Sequence, residues 1–436
     1  MSGHSFVFRS IFRNVSVLAL GRIASALCSF VYIAFSVRAL GLTDFGLLIL
    51  IHSLSMTGST LSRMQSWQTL IRFGSEAYRK DDHTRLKDVT GFCIRLDTYS
   101  GLAALVFSLI AVQIYAASAG WSVRTQTLAD LYACVAPFMY TGWCNGVLRM
   151  AGKFHLVPIN DGSTAVVRTI GVLIGYVFQL HLAYFLAVWA TTVLLDYGLF
   201  VFFGLRTLKR KCHFSYFESF RHWRWADDGM WRFTWGVSAN QTLGSVSNHV
   251  ATLLVGKGLG PAEVAVFRVC RQIASGIVTP AQLISPVLYP ELVKMRDQKD
   301  WRGLKRVTGR VFAILLAISA VLLLTAAVAG RKLFRLMLHI HVPHTSFYIA
   351  ILLLAAVMSL LIVPLEPLLI VVGQLKLLVR AGTIITLLYF PALYFAGIDY
   401  GLTGACIATA ASSLAVFLTC GIGVWRFTRR SRTFEK

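Results

Sequence analysis

The segment Arg38-Ala-Leu-Gly-Leu-Thr-Asp44 returns in altered form as Lys257-Gly-Leu-Gly-Pro-Ala-Glu263, 219 residues later in a chain of 436. A second segment, Leu86-Lys-Asp-Val-Thr-Gly91, returns as Leu304-Lys-Arg-Val-Thr-Gly309 at an offset of 218. Two matches at nearly one spacing, half the chain length, read as an internal duplication. Whatever the first half folds into, the second half has to build again.

The medium follows from composition. Apolar residues make up 56 % of the chain and charged residues only 14 %, with a mean hydropathy of +0.66. At about 20 apolar residues per crossing, twelve spans are predicted, near 15–37, 46–71, 98–118, 128–148, 157–179, 183–205, 233–255, 262–285, 308–329, 347–373, 377–396 and 402–425. Six spans per copy, an even number, give both copies one orientation, so the repeat is parallel. Of 42 Lys and Arg, 31 fall on the face carrying both termini, counting those at span ends; 6 fall on the other face and 5 well inside spans. The positive-inside rule then puts both termini in the cytoplasm. The expected fold is an all-α integral membrane protein with twelve transmembrane helices in two parallel six-helix lobes around a central cavity. Residues 1–210 form the first lobe, 211–232 a basic and aromatic linker, and 233–436 the second lobe. A membrane protein built this way suggests a transporter with its site between the copies.

Several function classes are disfavoured. The net charge of +23 sits mostly in short loops beside spans, where membrane topology demands it, so nucleic acid is not an expected partner. Eight scattered cysteines show no CxxC or metal-type spacing, and no metal or other cofactor is expected. GxSxG and HExxH are missing, and the Asp81-Asp82 and Asp227-Asp228 pairs lie in basic loops, so an enzyme is not expected. The first fourteen residues lead into span 1 with no cleavable signal visible, which predicts that this helix is retained. In the linker, Arg221 and Arg224 alternate with Phe220, Trp223 and Trp225, a pattern suited to the headgroup region of membrane lipids.

Polar residues inside the spans form stripes. Span 1 carries Arg22, Ser25, Ser29, Tyr32 and Ser36 at spacings of 3 and 4; span 2 carries His52, Ser55, Ser59, Arg63 and Ser66. Span 7 aligns Gln241, Ser245, Asn248 and Thr252; span 8 aligns Arg268, Arg271, Ser275, Thr279 and Gln282. Close helix packing is the plain explanation of such small residues. Arginine argues for more, since each buried charge costs at least about 2.5 kcal/mol in hydrocarbon unless it meets water or a partner. Arg22, Arg63, His52, Arg268, Arg271, Gln241 and Asn248 are therefore the candidate substrate-binding residues, and guanidinium forks suit phosphate oxygens. Arg168 and Asp196, at similar depth in neighbouring spans, are expected to form a structural ion pair. Glu366 lies roughly 10 Å from the cytoplasmic end of span 10, near in depth to Arg22 and Arg63, and is the candidate gating or coupling carboxylate. Pro280, Pro286, Pro290, Pro364 and Pro367 mark expected kinks. His339, His341 and His344 in the outer loop read as headgroup or anion contacts, and Gly142 with Gly146 as a packing face.

Three segments carry a resemblance: Arg38-Ala-Leu-Gly-Leu-Thr-Asp-Phe-Gly46, Gln68-Thr-Leu-Ile-Arg-Phe-Gly-Ser-Glu76, and Gly146-Val-Leu-Arg149 followed by Phe154. With them the chain resembles the bacterial polysaccharide flippases of the O-antigen type, in the superfamily that also holds multidrug-extrusion antiporters and the lipid II flippase. The resemblance implies two six-helix lobes around a cavity lined chiefly by spans 1, 2, 7 and 8. It implies movement of an undecaprenyl-pyrophosphate-linked oligosaccharide from the inner to the outer leaflet of the bacterial inner membrane, for lipopolysaccharide or exopolysaccharide synthesis, by alternating access. Polysaccharide polymerase or export machinery are expected partners. The competing readings are a multidrug antiporter, for which cavity carboxylates would be expected, and a membrane polymerase or ligase, for which a long outer loop would be expected.

Overall fold

A computed structural model describes residues 3–153, 155–211, 228–278, 284–298, 300–338 and 344–434. Within them the side chains of 3–20, 22, 23, 239–241, 243–245, 275–278, 284–287, 289–291 and 325–338, among others, are not described. The predicted linker lies mostly outside the described residues, as do Thr279, Pro280, Gln282, His339 and His341.

Every described element is helical. The α-helices are α1 Gly3–Ser62, α2 Ser66–Lys80, α3 His83–Ala119, α4 Val123–Ala133, α5 Gly142–Met150, α6 Leu156–Val177 and α7 Leu182–Lys211. They continue with α8 Asp228–Leu259, α9 Pro261–Val278, α10 Ile284–Asp297, α11 Trp301–Leu338, α12 Thr345–Ile362, α13 Leu365–Val371 and α14 Leu375–Phe434. Among the described residues five helical runs are long and apolar enough to cross a membrane: Ala24–Ser62, His83–Ala119, Leu182–Lys211, Thr345–Val371 and Lys376–Arg429.

The first and last of these runs are bent by glycine. Gly41 has φ 73° and ψ 179°, and Gly401 has φ 62° and ψ −151°, backbone that residues with a Cβ essentially never adopt. Each glycine separates two stretches that the sequence reads as separate spans. Gly260, the counterpart of Gly41 in the repeated segment, sits between α8 and α9 with φ 99°. The second repeat also has a local cause: Asp82 accepts a hydrogen bond from Arg85 N (3.0 Å) at the start of α3, and Asp300, 218 residues on, accepts one from Gly303 N (2.8 Å) at the start of α11. Each carboxylate satisfies an amide that a helix start leaves unpaired.

The fourth span of each copy is not one helix. Residues 128–148 fall into the end of α4, a 3₁₀ turn at Ala136–Phe138 containing Pro137, and α5; residues 347–373 divide between α12 and α13 at Pro364. Span 2 is also interrupted, at residues 63–65 between α1 and α2, without a proline. Proline explains the first two breaks, because it lacks the amide proton the helix ladder needs.

Contacts divide the chain into two compact units, Met1–Leu253 and Leu254–Lys436. In the first, α1 packs against α3 and α6, α2 against α3 and α5, and α6 against α7. Small residues permit the close approaches: a Cβ on Gly58 would fall on Ser108 and within 3.1 Å of the Ala104 carbonyl of α3, and one on Gly146 within 3.0 Å of Trp67 of α2. The first half of α8 belongs to this unit because Thr234 meets Thr69 (2.7 Å) and Ser238 accepts from Gln65 N (2.9 Å). In the second unit α12 packs against α9, α11 and α14, while Leu288, Leu292, Leu304, Leu368, Val371 and Phe427 form a separate cluster. Leu102, Val106, Phe107, Ile110 and Ile114 leave one face of α3 apolar and exposed, as a helix facing lipid requires.

Candidate functional site

The first unit holds a partly open polar cavity of about 290 Å³ where α1, α6, α7 and the break after α4 meet. The predicted stripe on span 1 supplies Ser25, Ser29 and Tyr32, the second arm of α1 supplies His52, α6 supplies Asp161, Thr164 and Arg168, and α7 supplies Thr192 and Asp196. The helical spacing of 3 or 4 residues is what puts the members of each set on one face.

Arg168 is held by neutral groups. Its Nε and Nη2 donate to Thr192 Oγ1 (3.0 and 2.8 Å), and its guanidinium lies 5.5 Å from the Tyr32 ring centroid and 4.9 Å from that of Trp189. Thr192 can accept because its own hydroxyl proton goes to the Trp189 carbonyl (2.9 Å). Asp196 accepts from the Nδ2 of Asn160 (2.8 Å), which is fully buried. The expected Arg168–Asp196 pair is therefore not a direct contact: both residues line one cavity, each with a different partner. Equal depth did not bring them together because each residue of helix turns the side chain by about 100°. His52 Nδ1 lies 2.9 Å from the Tyr132 hydroxyl, and its ring meets the Trp189 ring edge-on at 4.8 Å.

The other candidates are dispersed. Arg63 occupies the break between α1 and α2, its guanidinium 4.8 Å from the centroid of the Tyr140 ring. Arg268 and Arg271 lie on α9 in the second unit, where Arg271 is an electrostatic neighbour of Tyr389, whose hydroxyl meets Thr409 Oγ1 at 3.1 Å. Asn248 is exposed on α8. Glu366 lies in the first turn of α13, exposed on the second unit, where a helix N-terminus favours a carboxylate. The side chains of Arg22 and Gln241 lie outside the described ones.

Two carboxylates went unread in the sequence. Asp161 lies within predicted span 5, and the cavity holds it with Asp196 against the single guanidinium of Arg168. Asp97 lies one residue before predicted span 3, yet α3 starts fourteen residues earlier, at His83, and carries Asp97 inside the fold. Outside the crossings the chain is strongly basic. Lys153 donates to Thr207 (2.9 Å), and partial burial together with the nearby Arg210 and Arg206 pushes its ammonium pKa down.

A cavity of this size, with hydroxyls, an imidazole, one guanidinium and two carboxylates, can hydrogen-bond a polyhydroxylated or ionic solute and can exchange protons. Known proteins narrow the chemistry. The chain is 26 % identical over 301 residues, 67 % of its length and 84 % of the relative's, to the inner membrane protein YghQ of Escherichia coli. Its fold is similar to that of a multidrug resistance MATE family transporter of the MOP superfamily in an inward-facing conformation (TM-score 0.71, 14 % identity, 95 % of this chain and 99 % of that one). It is also similar to a mutant of the Vibrio cholerae MATE transporter VcmN (TM-score 0.63, 14 % identity, 99 % of each chain). Residues 11–296, well over half of the chain, match the family described as polysaccharide biosynthesis protein, and the chain belongs to that family.

Proposed function

We propose that this chain is a flippase of the bacterial inner membrane that moves an undecaprenyl-pyrophosphate-linked oligosaccharide from the cytoplasmic to the periplasmic leaflet by alternating access. The observation that carries the reading is the family match over residues 11–296 on a chain with the MATE transporter fold. It is a carrier rather than an enzyme. In this reading residues 1–210 and 233–436 are two six-helix lobes joined by the linker 211–232, with both termini cytoplasmic. Arg22, Arg63, Arg268 and Arg271 handle the pyrophosphate, since a guanidinium offers it paired donors; His52, Gln241 and Asn248 contact the glycan, and Glu366 serves as a gating carboxylate. The substrate arrives from membrane-bound glycosyltransfer and leaves to a polymerase or export apparatus.

The test is export in cells that carry the chain as their only flippase for one glycan. Arg63→Gln and Arg271→Gln are expected to leave lipid-linked oligosaccharide in the inner leaflet at near-normal protein levels, with Lys rescuing only in part. Full export by the Arg63→Gln, Arg271→Gln double variant would remove the reading. The orientation is checked by impermeant thiol labelling, with Cys212 protected and a cysteine at position 331 reactive from outside. Drug extrusion is the second reading, favoured by Asp161 and Asp196 outnumbering Arg168 in the cavity of the first unit. It predicts hypersensitivity to cationic drugs on deletion, with glycan export unchanged.

A further inference from the structure

A second polar cluster in the first unit is separate from the cavity. It lies where two interrupted helices meet, the break at residues 63–65 and the break between the 3₁₀ turn and α5. Thr141, the residue before α5, makes no side-chain cap. Asp97 of α3 caps the helix from outside instead, its Oδ2 accepting from Trp143 N at 2.7 Å. The second carboxylate oxygen, Oδ1, is buried without a hydrogen-bond partner; the hydroxyls of Ser66 and Tyr140 are buried beside it, with Ser66 within reach of both Asp97 and Tyr140. Ser66 is fully buried.

The three side chains converge beside Gly142. A Cβ placed on Gly142 would lie 2.8 Å from Asp97 Oδ2 and 2.7 Å from Tyr140 Cε1, and would fall on Ser66 Oγ. Glycine at this position therefore keeps open the space that the three side chains share. Asp97 makes no ion pair among the described residues, and the nearby guanidinium of Arg63 lies over the Tyr140 ring. A buried carboxylate with one oxygen unpaired and no counter-charge is costly. A cation bound by oxygen would balance the carboxylate charge and take Oδ1 and the hydroxyl oxygens as ligands, leaving the hydroxyl protons for the neighbouring acceptors.

We propose that Asp97, Ser66 and Tyr140, at the junction of the two helix breaks, form a binding site for a monovalent alkali cation of sodium size. One carboxylate supplies one negative charge, which balances a monovalent ion; a calcium site recruits more carboxylates, and zinc seeks nitrogen or thiolate ligands. Broken helices also leave terminal carbonyls without helical amides, and such carbonyls are ready ligands for a hard cation. The bound ion pins α2 to α5 through groups on both breaks. Because Tyr140 also carries the Arg63 guanidinium, occupancy of the site is felt at a residue assigned above to the substrate.

The test is thermal unfolding of the purified full-length protein in detergent, with chlorides of sodium, lithium, potassium and choline at constant ionic strength. A site that binds only the folded state multiplies the folding equilibrium by about 100 at 100 times the dissociation constant, so the midpoint should rise saturably with sodium over choline. Asp97→Asn keeps an acceptor for Trp143 N and should unfold in choline near the wild-type midpoint, yet lose the sodium response. Ser66→Ala should need at least about tenfold more sodium for the same rise, and it carries the test should Asp97→Asn fail to fold. Identical midpoints in sodium, lithium, potassium and choline would overturn the proposal and leave an ordinary polar contact. A full sodium response in Asp97→Asn would overturn it too, by moving the ion to another site such as the cavity beside Asp161. Neither result touches glycan export, so the flippase reading stands or falls separately.

Discussion

Gly41 and Gly260 stand 219 residues apart and both take positive φ, and Gly152 and Gly373, 221 apart, do the same after α5 and α13. At that offset of 221, however, Arg168 of the first copy faces Tyr389 of the second, while at 219 His52 faces Arg271. In the first copy the guanidinium comes from the fifth predicted span and is held by Thr192; in the second it comes from the eighth, and the residue bonded to a threonine is Tyr389, through Thr409. The matched positions share backbone conformation where a turn demands glycine, while the charged residues sit on different helices. Matched positions of the two copies can therefore carry different groups with different partners.

The largest effects test that division of labour. A charge-assisted hydrogen bond contributes about 1.5–3 kcal/mol, roughly 10- to 150-fold in an equilibrium. Arg271→Gln should lower glycan export per molecule of protein by at least about tenfold, since its proposed partner is the substrate. Arg168→Gln should do the reverse: it removes the donors held by Thr192 and leaves Asp161 and Asp196 without their cation. Stability should fall by about 1–3 kcal/mol and export only in proportion to protein amount. Export and thermal unfolding measured on both variants decide it, and the opposite pattern would reverse the roles of the two copies.

The next effect asks whether the shared devices are equally constrained. A Cβ at Gly41 or Gly260 meets nothing within 4 Å, so alanine there costs backbone strain alone. The expected loss is about 1–3 kcal/mol at each position, read from denaturant or thermal unfolding. A cost at Gly41 with none at Gly260 would show that the second turn relaxes and that the repeat is no longer matched there.

This contrast also explains what could be read in the sequence. The duplication was legible because its matches surround Gly41 and Gly260 and follow the caps Asp82 and Asp300, where local physics permits few residues. All-helical structure was legible from composition, and the cavity stripe of Ser25, Ser29 and Tyr32 from helical spacing. The breaks at 63–65 and 134–141 were not, because a hydropathy window averages across a few non-helical residues in an apolar stretch. Asp97 was missed for a related reason: hydropathy finds where lipid begins, whereas α3 continues past that level to His83. The partners of Arg168 depend on helix phase and tilt, which no spacing within one helix records.

A smaller effect compares the caps. Asp82→Ala and Asp300→Ala each leave one amide unpaired at a helix start and should cost about 1 kcal/mol. Asparagine should nearly restore both. Equal losses would mean that the two copies keep the same start signal for the third predicted span of each, and a loss confined to Asp82 would mark the start of α11 as held by other contacts.

The smallest effect has no described counterpart in the second copy. Lys211 lies 2.5 Å from the Asp81 carboxylate beside the Asp82 cap, and this bond holds the exposed carboxyl below its usual range. Position 300 caps α11, but its neighbour at the Asp81 offset is Lys299 rather than a carboxylate. A carboxyl depressed in the folded state stabilises it above the unfolded pKa, about 3.9, and that contribution disappears as pH falls through the folded value. Both groups are largely in water, so salt screens the pair. Lys211→Met should therefore lower the unfolding midpoint slightly at pH 6 in low salt, and by progressively less as pH falls below about 3.9. The difference should vanish at about 1 M salt, where the screening length is about 3 Å. A difference that survives high salt would mean that the Lys211 stem, packed against the Tyr78 ring at 5.0 Å, contributes more than its charge.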